Sequence, residues 1–151
     1  MVSLPALQYL SSQKVKDASI LLRNGRNNGA IYLMGYALEF SLKRKISLTF
    51  GFHHGFPETP AELNTYTAQV NLWNAVQTSI RLTRVTQIRN HRLDDLLTFS
   101  GVGPRIAAQY FGDWQHVNAW NPEDRYIRRR VSPVRAAEFM RSARVILREI
   151  A

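Results

Sequence analysis

Cysteine is absent from the 151 residues, which excludes disulfides and thiolate metal sites and makes a reducing compartment the natural home. No uninterrupted apolar run reaches the roughly 20 residues that a membrane span needs. The start, "MVSLPALQYLSSQK", lacks a basic stretch followed by an apolar one, so it does not read as a signal peptide. Walker loop, dinucleotide fingerprint and nucleophile elbow are all missing, and no cofactor is expected. His53 and His54 are adjacent, so their side chains diverge; with no third ligand in view, no metal is expected either. Strand alternation and internal repeats are also lacking. The expectation is a cytoplasmic protein with one domain over residues 1–151.

Acidic residues are few, 11 against 20 Lys and Arg, giving a formal charge of +9. The excess is mostly arginine and falls late, in "RLTRVTQIRNHR", "RYIRRR" and "RSARVILRE". Such a balance points to a nucleic acid or another polyanion, against the plainer reading of a solvated basic surface.

What is present is helical periodicity. Leu7, Leu10, Ala18 and Leu21 repeat at helical spacing within a first helix from about Leu4 to Arg23, and "RNGRNNG" breaks it. A second helix, from near Asn28 to about Leu48, is apolar on most faces and should be the most buried. Residues 50–90 are ambiguous: "VNLWNAVQTSIRL" has helical spacing, weakened by Thr and Asn. "HRLDDLLTFSG" reads as a short helix from His91 ending at Gly101, and Pro104 opens another over 104–118. Ser132-Pro133 starts a last helix reaching Ile150, with Ala136, Phe139, Met140, Ala143 and Leu147 on its buried side. The fold expected is an all-α, up-and-down bundle of four to five helices.

Within "YLMGYALEFSLKRKI" the residues Tyr32, Tyr36, Glu39 and Lys43 are spaced by four, three and four, so they line one helix face. A carboxylate in so apolar a helix needs a partner. Glu39 can pair with Lys43 one turn on, and the reading preferred is an ion pair with Arg125 that pins the "RY" loop to the bundle. As a site, the same stripe would stack a base on Tyr32 and Tyr36 and hold phosphate with Lys43 and Arg125, with Tyr126 as a further ligand-binding candidate. Asp94-Asp95 and Glu123-Asp124 read as helix-start and loop carboxylates, and Trp114 and Trp120 as packing anchors.

Three blocks in order, "YLMGYALEFSLK" from Tyr32, "HRLDDLL" from His91 and "WNPEDRY" from Trp120, resemble the HEPN family (higher eukaryotes and prokaryotes nucleotide-binding), in its small single-domain bacterial form. The resemblance implies a helical bundle, often a homodimer, in a family of ribonucleases, toxins and non-catalytic binding modules. It also implies a setting in defence or a toxin–antitoxin pair, with an antitoxin-type partner. Family ribonucleases carry an Arg, a polar residue and then a His; here Arg84 and His91 have an allowed spacing, but Val85 takes the polar place. A base for the 2′-hydroxyl and a cation for the phosphorane are what metal-independent RNA cleavage needs.

"SGVGPRIA" is similar to the turn of a helix-hairpin-helix motif, in which Gly101, Gly103 and Arg105 would hold a DNA phosphate. Arg128, Arg129 and Arg130, with Arg141, Arg144 and Arg148 of the last helix, form a phosphate-tracking patch if they face one way. The leading expectation is a non-catalytic HEPN-like module for nucleotide or RNA. The alternatives are a ribonuclease using Arg84 and His91, and a DNA-binding hairpin.

Overall fold

Ser3 accepts a hydrogen bond from the Ala6 N–H and Pro5 sits in the first turn, so the chain enters helix α1, Leu4–Arg23, at once. The computed structural model describes residues 1–126 and 129–151; Ile127 and Arg128 lie outside the description. Gly25, at φ 70°, makes the left-handed turn that sends α2, Asn27–Phe50, back along α1. Helix α2 ends on a second left-handed glycine, Gly51, with the Phe52 N–H donating to the Ser47 carbonyl.

Residues 50–90, open in the sequence, become α3, Pro60–Asn64, and α4, Thr67–Ala75, followed by a 3-10 turn over Val85–Gln87. Helical spacing continues past Ala75, but the helix does not. The Asn74 side chain donates to the Leu82 carbonyl and accepts from the Leu82 N–H, both at 2.8 Å, and this folds the chain back. Leu72, Val76 and Ile80 are left exposed.

Next come α5, Leu93–Ser100, α6, Gly103–Gln109, α7, Phe111–Asn118, and α8, Pro133–Ile150. The single helix expected over 104–118 is two, because Tyr110 leaves the helical region at φ −131° and ψ 26°. A bundle of four to five helices is therefore too coarse a count. The described residues form eight α-helices, of which only α1, α2 and α8 are long. The protein is all-α; its only strand-like pairing among the described residues is an isolated bridge between Val2 and Phe56. No helix among those residues is long and apolar enough to cross a membrane.

Helix α2 is the axis of the molecule, with α1, α5 and α8 packed around it and α7 packed on α8. Ala30, Met34, Ala37, Leu38, Leu42, Ile46 and Phe50 point in several directions and are all buried. At Gly35 the backbone of α2 is approached closely. A Cβ there would lie 2.0–2.2 Å from indole atoms of Trp120. Trp120 is buried on this bare patch of backbone and carries the following segment, Pro122–Tyr126, onto α2.

Candidate functional site

Glu39 is 1% exposed on α2. Its Oε1 accepts from Lys43 Nζ at 2.6 Å and its Oε2 lies 2.8 Å from His91 Nδ1. Both carboxylate oxygens are satisfied, which is what burial of that charge requires. The expected Glu39–Arg125 pair is therefore corrected. The loop before α5 delivers His91 to Glu39, while the exposed Arg125 donates to the Tyr32 hydroxyl at 3.3 Å and lies over the Tyr126 ring, 4.5 Å from its centroid. Lys43, expected to meet ligand phosphate, is spent on Glu39 and stands 5.6 Å from the Phe56 ring centroid.

The tyrosines of the stripe divide. Tyr36, half-buried, packs edge-on against Tyr32, His91 and Trp120. Burial, then the neighbouring Tyr32 hydroxyl 3.5 Å away, push its phenol up to about 12. Tyr32 moves the other way, lowered first by its hydrogen bond with Tyr36 and then by Arg125. Tyr32 alone of the two reaches an open cleft.

That cleft, of about 580 Å³, lies between the start of α2, the Pro122–Tyr126 turn and the start of α8. Asn28, Tyr32 and Trp120 form part of its wall, and four arginines, Arg125, Arg129, Arg130 and Arg135, line it with one acidic residue, Asp124. The arginines are placed by hydrogen bonds from α2. Asn28 Nδ2 donates to the Arg129 carbonyl and Asn28 Oδ1 accepts from the Val131 N–H, each at 2.9 Å, and Asn27 Nδ2 donates to the Val131 carbonyl at 3.2 Å. Ser132 then caps α8 by accepting from the Arg135 N–H. The size is that of small-ligand clefts, roughly 300–1,000 Å³.

A second cleft, of about 490 Å³, is lined by Pro122 and Glu123 of the Pro122–Tyr126 turn and shares Trp120 as a wall. His91, Arg92, Asp94, Asn118 and Glu123 line it. Since Glu39 holds the Nδ1 of His91, Nε2 is the ring nitrogen left for a ligand. Arg84 lines neither cleft, so the expected Arg84–His91 couple is not brought together in one; Arg92 is the cation beside His91.

The remaining candidates separate as clearly. Gly101 makes its turn at φ 80°, but Arg105 bonds to the Glu149 carbonyl and sits 3.6 Å from its carboxylate. Thr49 of α2 donates to the Ser100 carbonyl, and Gly103 opens a helix of only seven residues. These contacts give the hairpin a packing role. Arg128 lies outside the described residues. Arg141 is 3.7 Å from Asp113 and Arg144 donates to Ser19, while Arg148 is exposed. At about 100° per residue all three fall roughly 180–240° around α8 from Arg135, so they do not join the cleft arginines. Arg135, Asn28, Arg92 and Asn118 were not singled out from the sequence. Arg135 alone had a signal there, a cation in the first turn after Ser132-Pro133, out of phase with the other three. Among the described residues no group of three metal-ligating side chains gathers. Comparison of the chain with family models, with curated proteins and with solved structures gives no match.

Proposed function

We propose that the protein is a non-catalytic, HEPN-like module that binds nucleotide or RNA through phosphate held among Arg125, Arg129, Arg130 and Arg135. The observation that carries this is that four arginines and a single acidic residue line one cleft of about 580 Å³. Guanidinium forks match phosphate oxygens, and the exposed Tyr126 beside Arg125 offers a face on which a base can stack. Arg129→Ala with Arg130→Ala tests it by fluorescence anisotropy of a single-stranded RNA across a salt series. Each phosphate neutralised contributes about 0.7 to the slope of log K against log salt. The double variant should bind more weakly at low salt, with a slope shallower by roughly 1.4. Unchanged affinity and slope would leave these arginines as surface charge only.

A second reading, metal-independent RNA cleavage, is favoured by the 2.8 Å contact between Glu39 and His91. A carboxylate fixes the imidazole tautomer and leaves Nε2 able to take a proton from a ribose 2′-hydroxyl. The cation beside it would be Arg92. Cleavage of RNA in EDTA that disappears in His91→Ala would establish this reading, and no cleavage by the parent would dismiss it. Homodimerisation, an antitoxin-type partner and a defence setting are further proposals that rest on the family resemblance. Light scattering that finds only a 17.3 kDa monomer would remove the dimer.

A further inference from the structure

We propose that the cleft beside His91 holds a base of the same single RNA strand whose phosphates lie among the arginines, and that it prefers cytosine to uracil. The inference rests on the RNA-binding reading above and assigns a separate role to the second cleft. Both clefts use Trp120 as a wall, and both are lined by the short Pro122–Tyr126 turn, the first by Asp124 and Arg125 and the second by Pro122 and Glu123. One strand crossing that turn enters both.

The two clefts differ in charge. Four arginines face one carboxylate in the first. In the second, Arg92 and His91 face the carboxylates of Asp94 and Glu123, and Arg92 Nε is already 3.6 Å from Asp95. There is no net pull on phosphate, so the second cleft suits an uncharged part of the strand. Its chemistry is that of base-edge recognition. Carboxylates accept from the N4 amino group of cytosine. Uracil presents a carbonyl oxygen at that position, and this oxygen would face the same carboxylates without a proton between them. Neither Asp94 nor Glu123 has an ion-pair partner among the described residues. Asn118, at the end of α7, adds an amide able to donate and accept, and His91 adds Nε2. Asn121 is less available, because its Oδ1 accepts from the Glu123 N–H.

The test compares short oligo(C) and oligo(U) ribonucleotides by fluorescence anisotropy with the parent chain and with Glu123→Gln plus Asp94→Asn. Both positions are exposed, so the amides should be tolerated by the fold. The parent should bind oligo(C) roughly fivefold or more tightly than oligo(U), the lower end of what one well-placed polar pair discriminates. The amide variant can donate to the uracil oxygen and should lose or reverse that preference with its salt slope unchanged. Equal binding of the two oligomers by the parent overturns the inference, as does a preference that survives in the amide variant, even where salt-dependent binding through the arginines stands. Failure of the parent to bind either oligomer would remove the RNA-binding reading and this inference with it.

Discussion

Glu39→Gln isolates the buried carboxylate at the centre of the molecule. Removing one member of a buried ion pair costs about 3–5 kcal/mol, because the other charge is left uncompensated. Two features reduce that figure here. The side chain of His91 is 55% exposed and that of Lys43 13%, so solvent recovers part of the loss, chiefly at His91. Glutamine also keeps the volume and one acceptor for Lys43. A destabilisation of about 2–3 kcal/mol is expected, with a fall in Tm of roughly 5–10 °C. Urea denaturation of the parent, Glu39→Gln, Lys43→Met and the double variant measures it, and the coupling between the two sites should be about 1 kcal/mol or more. Arg125→Ala serves as the contrast. That side chain is exposed and does not touch Glu39, so its loss should stay within about 0.5 kcal/mol. A Glu39→Gln cost below about 0.5 kcal/mol, or an Arg125→Ala cost of equal size, would refute the assignment of Lys43 and His91 as the partners of the carboxylate.

Two further outcomes follow from the same region. Gly35→Ala puts a methyl group 2.0–2.2 Å from the Trp120 indole, which must leave its seat; a loss of about 3 kcal/mol or more is expected, with a red shift in tryptophan emission, and unchanged stability and emission would contradict the packing. The Tyr36 phenol, at about 12 in the folded chain, is raised above its ordinary value of 10.0, so its contribution to stability is complete below pH 10 and fades as pH rises towards 12. Phenolate absorbance should show a late step that Tyr36→Phe diminishes, and a parent with every tyrosine ionised by about pH 11 would count against the burial of that ring.

Local signals made the long helices legible. Ser3 with Pro5, and Ser132 with Pro133, are start marks whose chemistry acts within one turn, and α1 and α8 begin where these residues put them. The break at Tyr110 had no such mark, since neither proline nor glycine occupies that position. The stop of α4 depends on Asn74 reaching across eight residues, which a periodic pattern does not register. The site shows the same division. That Glu39 needs a cation could be read from its apolar helix, but the choice between His91 and Arg125 is made by where two loops fall in space. The phase of Arg135 against Arg141, Arg144 and Arg148 was open to counting from the sequence. The grouping of Arg125, Arg129, Arg130 and Arg135 into one cleft depends on Asn27 and Asn28, far upstream.

Those two asparagines bear on the order in which the chain acquires its parts. The side chain of Asn28 holds the backbone of Arg129 across a sequence separation of 101 residues, and α8 lies against α2 from the far end of the chain. The hairpin of α1 and α2 closes through a short loop and can form early, whereas the arginine cleft waits for contacts between distant parts of the chain, whose loop-closure entropy is large. A partly folded chain can therefore carry native helix and still have no cleft. Recovery of RNA binding during refolding should lag behind recovery of helical signal, so ligand capture would report the last step of assembly rather than the first.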